Sequence, residues 1–469
     1  MSEFFYYVLY ELRRSLGLVL LLGFAVSAVL GLIYLLFRRK FGRERKFPWK
    51  RTFLLLVFFG YLAVVFCVTN LRSSLMVRQV NLHLFRAWRE ALNNFSQHRW
   101  MNVLLNIAMF APLGFLLPLM NGKFRKCYTA IPVGFGTSAV IELFQLAFAT
   151  GVFDVDDLFC NTLGAAAGFF IIMLILSLGK EKGKRLKPVL IYGCLTLAIF
   201  FGVSGVFVLY QMQEFGNLPE APAYRVDTAD ARWKLECKFP EVGDTYAVYQ
   251  TQTRSQADCD AFAEMFETLV PIEFDDISYY QEEAYYMNHG SANGAHFLYV
   301  HYLDQGYEYT AIYDDEPDWQ ALDRETALKA LEKYPLQIPA SAEFVMEGDG
   351  WYSFTAVQLP ENGVLLDGTL RVRIGGDGIV RQIENGLLSF SYYKDAQIIL
   401  PEEAYRRLLA GRFSDGGYFE RKQPKSLVIS ECTMEYRVDT KGLYQPVYVW
   451  EVASEDGSYR DRIVIPALK

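Results

Sequence analysis

Three carboxylates, Asp154, Asp156 and Asp157, stand together at the head of an apolar run that carries Asn161 one helical turn further on. Upstream, Glu142 and Gln145 sit three residues apart inside a second apolar run, and Asn102 and Asn106 sit four apart inside a third. Residues three or four apart share a helix face, so each set can present its polar atoms to one place. Ionisable groups inside apolar runs are costly and usually face a bundle interior or a water-filled cavity, where they bind or relay something. Glu142 is the candidate for acid–base work. Such a carboxylate is protonated, paired with a cation such as Arg99, or set beside a bound ion. Asp154 and Asp157 are weak candidates for holding a hard cation through oxygen, but their spacing matches no established metal motif, and no metal or cofactor is expected. A plainer reading stands beside the chemical one. Here the Asp residues cap free N–H groups at a helix start, while Asn106, Gln145 and Asn161 hydrogen-bond between helices. No His or paired nucleophile completes a catalytic template in these runs, so a non-enzymatic role is favoured.

The elements that must position these residues follow from charge and hydropathy. Residues 1–210 hold 23 Lys and Arg against 9 Asp and Glu, whereas the remainder holds 23 against 44. A basic membrane half and an acidic globular half are therefore expected, divided near residue 210. Leu16–Phe37 and Thr52–Thr69 are long enough to span a bilayer, which takes ~20 residues. Four more runs follow at about 100–120, 127–149, 158–178 and 188–210, making an all-α polytopic domain of six spans. Met1–Ser15 reads as an interfacial helix and the first span as an uncleaved anchor. Basic loops at Arg38–Arg51, Lys123–Lys126 and Lys180–Lys187 place those loops in the cytoplasm, and the acidic turn Gly151–Asp157 outside. With 1.5 Å of rise per residue, Asn106, Glu142, Gln145 and Asn161 then all lie roughly 5–11 Å from the outer ends of their spans.

One loop resists the pattern. Leu71–Arg99 falls outside yet is basic, and Val77, Val80, Leu84, Trp88, Leu92 and Phe95 recur at helical spacing. An amphipathic helix in the membrane interface is expected, with Arg78, Arg86, Arg89 and Arg99 meeting lipid phosphates or an anionic envelope component. His83 and His98 belong to this connector.

Beyond residue 210 an extracytoplasmic α+β domain is expected, divided into small parts at about 220–315, 320–395 and 396–469. Helices are predicted at Ala257–Leu269, after an N-capping Asp323, and at Glu402–Leu409. Strands alternate with them, and Gly375–Gly378 marks a hairpin between Thr369–Ile374 and Ile379–Glu384. Of three Cys in this half, Cys237 and Cys259 are the pair expected to bridge, if any does. His289, His296 and His301 read as ordinary strand or loop residues.

Asn106-Ile-Ala-Met-Phe110-Ala-Pro112-Leu-Gly114, Ile141-Glu142-Leu-Phe-Gln145 and Phe153-Asp-Val-Asp156-Asp157-Leu-Phe-Cys-Asn161-Thr-Leu-Gly164 together resemble the VanZ-like membrane proteins. The resemblance spans about 50–178. It implies a small helical membrane domain of a family named after a teicoplanin-resistance determinant. The family's usual Arg before the acidic turn is missing, since Gly151 and Val152 stand there, and Arg99 or Arg125 would have to substitute. The two segments opening at Leu322 and Leu400 resemble PepSY modules, and the chain's last strands resemble secreted domains of the YycH/YycI type. Three functions compete. The first is an envelope factor that modulates glycopeptide susceptibility through a polar pocket in the outer leaflet. The second is an enzyme on a lipid-linked substrate with Glu142 as acid–base, and the third is a sensor with an extracellular domain. Expected partners are membrane lipids and a lipid-linked cell-wall precursor or envelope protein, and not nucleic acid.

Overall fold

The computed structural model describes residues 28–29, 31–40, 48–70, 79–95, 97–280, 283–291, 294–313, 318–361, 364–422 and 424–469. It divides into two compact units, Met1–Ala87 with Met101–Gln211, and Trp88–Trp100 with Met212–Lys469.

The first unit is helical. Its elements in chain order are α1 (31–40), α2 (Trp49–Asn70), a short strand β1 (Gln79–Asn81), the first two residues of α3 (Arg86–Asn94) and, from Met101 on, α4 (Gln97–Met120). A 3-10 turn, Gly122–Arg125, leads to α5 (Cys127–Phe148), strand β2 (Val152–Asp154), α6 (Val155–Leu178) and α7 (Lys182–Met212). Five of these helices are long and apolar enough to cross a membrane, among the described residues. They coincide with the second to sixth expected spans. Most of the first, and Met1–Ser15 before it, lie outside the described residues.

Small residues set the spacing of α4, α5 and α6. A Cβ built on Gly164 would stand 2.0 Å from the Ile107 carbonyl oxygen, and one on Gly168 1.8 Å from that of Ala111. Gly114 answers from α4, where a Cβ would stand 1.8 Å from the Ala165 oxygen. Gly134 on α5 meets the Ala165 side chain in the same way. Such glycines let membrane helices approach backbone to backbone, where dispersion and weak Cα–H contacts hold them without a hydrophobic drive. Phe110, Leu113, Ala130, Ile141 and Phe169 then fill the space between the helices.

The continuous amphipathic helix expected across Val77–Phe95 does not form. Residues 71–78, Val77 and Arg78 among them, lie outside the described residues. The chain runs as β1, turns at Phe85 with φ +67°, and only then enters α3. Such a φ is uncommon for a bulky residue and needs something to hold it. That something is Asp156, described below.

The second unit is a fourteen-stranded sheet with helices on it, among the described residues. Its strands are β3 (Arg232–Leu235), β4 (Thr245–Gln250), β5 (Asp276–Tyr279), β6 (Glu283–Ser291), β7 (Gly294–His301), β8 (Tyr307–Ile312) and β9 (Glu343–Gly348). They continue as β10 (Trp351–Glu361), β11 (Val364–Ile374), β12 (Val380–Asn385), β13 (Leu388–Gln397), β14 (Ser426–Val438), β15 (Leu443–Ser454) and β16 (Arg460–Pro466). β3 runs parallel to β14, and the other described pairings are antiparallel. Two helices, α8 (Gln256–Leu269) and α9 (Arg324–Leu331), cover a core of Phe266, Tyr286, Leu298, Tyr309 and Phe354. Two more, α10 (Pro401–Leu409) and α11 (Tyr418–Lys422), belong to a second core around Trp450, Tyr448 and Phe413. The caps are local. Ser255 and Asp258 form a reciprocal capping box at α8, and Asp323 accepts the Thr326 N–H at 2.8 Å to start α9. Residues 88–100 group with this unit: Asn217 Nδ2 donates to Leu92 O at 2.9 Å and Asn93 Nδ2 to Ala221 O at 2.7 Å.

Cys237 and Cys259 do not pair. Cys259 is buried in the first core beneath β7, and Cys237 lies in the second.

His301 gives this unit a pH dependence. Burial opposes its charge, but the bond to Asp304 Oδ1 at 3.1 Å, with Glu283 and Glu308 nearby, outweighs burial and lifts the imidazole above its ordinary 6.5. A raised imidazole stabilises the fold fully below its unfolded value, and that contribution vanishes as pH climbs through the folded one. Asp304 is the counterpart. Burial disfavours its charge, but His301 overrides this and holds the carboxyl below 3.8, so its contribution is lost on acidification. Thermal stability of this unit should therefore fall as pH is raised from 6.5, and His301→Gln should flatten that limb. An unchanged alkaline limb in His301→Gln would refute the coupling.

Candidate functional site

Asp154 opens α6 as its N-cap. Its Oδ1 accepts the Asp156 N–H at 2.8 Å, and its Oδ2 accepts from Asn81 Nδ2 at 3.0 Å. The short parallel pairing of β1 with β2 sets Asn81 opposite Asp154 in register. Asp156 is fully buried and grips the connector, its two oxygens accepting the N–H groups of Phe85 at 2.5 Å and Ala87 at 2.6 Å. This explains the turn at Phe85, whose ring also packs edge-on against Phe159. Asp156 therefore acts as a clamp on the start of α3. Asp156→Ala would leave two N–H groups without their acceptor, at about 1–3 kcal/mol each if they stay buried. We expect a lower unfolding temperature in detergent for Asp156→Ala and partial recovery in Asp156→Asn. Equal unfolding temperatures for all three proteins would refute the clamp.

Glu142 is buried, 2% exposed, and its Oε2 accepts the Asp154 N–H at 3.0 Å. Asn106 Nδ2 donates to Asp157 Oδ1 at 2.5 Å, joining α4 to α6. Asn161 Nδ2 donates to Ser138 Oγ at 2.9 Å, joining α6 to α5. The Asn161 Oδ1 is buried without a partner. Whichever way that amide is turned, one of its two polar atoms is left over, because the described structure supplies only the Ser138 hydroxyl. Asn81 and Ser138 were absent from the sequence-derived set. Ser138 had a signal, standing one helical turn before Glu142 on α5. Asn81 had none.

Other expected members stand elsewhere. Gln145 donates from Nε2 to Thr69 O at 2.8 Å, tying α5 to the end of α2. Gly151 is pressed against the Gln145 side chain, and α5 ends at Ala149 with φ +55°. Asn102 is exposed. Arg99 pairs with Glu90 at 2.7 Å, and Arg89 donates to Ala223 O at 3.2 Å. Arg86 lies at the first position of α3.

Glu142, Asp154 and Asp157 are electrostatic neighbours, and among the described residues no Lys, Arg or His forms an ion pair with them. Among the described residues no group of three His, Cys, Asp or Glu is arranged to hold a metal ion. What the geometry offers is a concentration of hydrogen-bond acceptors at one end of α5 and α6. The groove of about 620 Å³ between α2 and α5, lined by Leu62, Phe66, Val133, Val140 and Ile141, is apolar and separate from these carboxylates.

Residues 52–176 form a VanZ-like domain. They match the VanZ/LLP1 family model. The match begins in α2 and ends within α6, so it contains Asn81, Asn106, Ser138, Glu142, all three Asp and Asn161. Residues 212–469, which carry the sheet, lie beyond the match, whereas residues 88–100 lie inside it. No curated protein matches the chain.

Proposed function

We propose that this VanZ-like membrane protein works at the bacterial cell envelope by binding a membrane-embedded ligand through the acidic end of α5 and α6. The observation that carries this is the acceptor surplus: Glu142, Asp154 and Asp157 form no ion pair with Lys, Arg or His among the described residues, and buried Asn161 has a leftover amide atom there. A pure clamp would be expected to satisfy its own members, since leaving a buried polar group unmet costs about 1–3 kcal/mol. The matching ligand carries an amine or several hydroxyls at the level of the outer lipid headgroups, as a lipid-linked cell-wall precursor does. The reading is non-enzymatic, with the ligand bound and not transformed, and its consequence is altered susceptibility to glycopeptides of the teicoplanin type. The basic loops support an outer position for the acidic turn and for the sheet unit.

Deleting the gene should change the teicoplanin inhibitory concentration, and re-expression should restore it. No change on deletion would remove the susceptibility reading. An altered lipid-linked precursor pool in the deletion strain would instead favour an enzyme acting on that lipid. Orientation is tested separately, in protein lacking the exposed Cys127 and Cys194 and the half-buried Cys67 and Cys237. Ser458→Cys should react with an impermeant thiol reagent in intact cells and Gly183→Cys should not. The reverse pattern would invert the topology.

A further inference from the structure

We propose that Cys237 and Cys432 join in a disulfide that staples β3 to β14. The two strands run parallel with Leu235 opposite Ile429, and the Glu236 N–H donates to Ile429 O at 2.9 Å, carrying the ladder one residue past β3. Immediately afterwards β14 takes an extra residue. Ile429 faces Val452 on β15 and Glu431 faces the adjacent Glu451, so β14 advances two positions while β15 advances one. An extra residue of this kind turns the strand over. The next β14 side chain on the face of Ile429 is therefore Cys432, not Glu431. Past the end of β3 the chain bends at Cys237, whose side chain packs against the core that holds Cys432. Both cysteines accordingly belong to one core, with Trp450, Ile429 and Phe413. Both are free thiols in this structure, and a disulfide between them needs Cα atoms about 4.4–6.8 Å apart. The third cysteine of this unit, Cys259, is in the other core and is excluded.

The order of events follows from exposure. Cys237 is half-buried, whereas Cys432 is 7% exposed. The Cys237 thiolate attacks a sulfur of a disulfide-bearing oxidant, forming a mixed disulfide and releasing one oxidant thiolate. The Cys432 thiolate then attacks Cys237 Sγ and expels the second. Two thiol protons are lost, and the oxidant takes up two electrons and becomes a dithiol. Burial pushes both thiols up, Cys432 to about 12, so the reaction is slow at neutral pH and quickens as pH rises. The closed loop holds about 200 residues, in the range where cross-links constrain the unfolded chain most. The staple fixes the edge strand β3.

The proposed outer location is needed only to supply the oxidant in cells, so the pair is tested first without it. Purified full-length protein in detergent is incubated at pH 8.5 with a mixture of oxidised and reduced glutathione, alkylated and digested with trypsin. Leu235–Lys238 should be recovered joined to Ser426–Arg437, with a mass 2 Da below the sum of the reduced peptides. The unfolding temperature should rise by several degrees, and either Cys237→Ser or Cys432→Ser should abolish both effects. Both cysteines alkylated after prolonged oxidation, or either joined to a different cysteine, would overturn the proposal. A joined pair in vitro with free thiols in whole cells would leave the pair standing and count against the outer location.

Discussion

Replacing Gly168 with Val is expected to remove most of the folded protein from the membrane. The first atom added would stand 1.8 Å from the Ala111 oxygen and 2.7 Å from its carbonyl carbon. Both are backbone atoms inside a helix, so no side chain can move aside to relieve them. The only relief is to part α4 from α6. Overpacking by side chains costs about 1–3 kcal/mol, and a backbone clash belongs at or above the upper end of that range. Parting the helices would also draw Asn106 away from Asp157 and undo the polar cluster. Membrane abundance and unfolding temperature in detergent are the measures. Gly136→Ala is the control, since nothing lies within 4 Å of a Cβ there, and it should match wild type. Wild-type abundance and unfolding temperature in Gly168→Val would mean that α4 and α6 do not pack through these glycines.

Much of this architecture is legible in the sequence because each signal is local. Apolar runs of membrane-spanning length mark α2 and α4 to α7, and the spacing of Gly164 and Gly168 marks a close helix contact. Asp323 before an apolar periodic run marks the cap of α9. What the sequence hides is partnership between distant segments. Asp156 looks like one acid among three, and only the structure sets it on the N–H groups of Phe85 and Ala87, some 70 residues earlier. The helical periodicity of Val80, Leu84 and Trp88 misleads for the same reason: a distant carboxylate captures the N–H groups of a turn, and the turn breaks the helix. Gln145 shares a helix face with Glu142 by spacing, yet its amide is long enough to reach Thr69 instead. In the sheet unit β5, β6, β9, β13 and β16 escape notice, and β6 and β13 show why. Glu283, Asn288 and His289 in the one, and Lys394 and Asp395 in the other, interrupt the apolar alternation that marks a strand.

Glu142→Gln should abolish the susceptibility phenotype while leaving the protein intact. The amide keeps the shape and an acceptor for the Asp154 N–H, and it adds a donor beside Asp154 and Asp157. Intramembrane hydrogen bonds average only about 0.6 kcal/mol, so stability should hold. Function should not survive, because the substituted site lacks the carboxylate that attracts a cationic or donor-rich headgroup. If the site moves protons instead, the loss would be about 10²–10⁴-fold. The decisive measurement is the teicoplanin inhibitory concentration of a deletion strain carrying wild type or Glu142→Gln at matched membrane abundance. A value for Glu142→Gln equal to that of the empty strain is the predicted result. A value equal to that of wild type would contradict a ligand site at Glu142 and leave the carboxylate as part of a clamp.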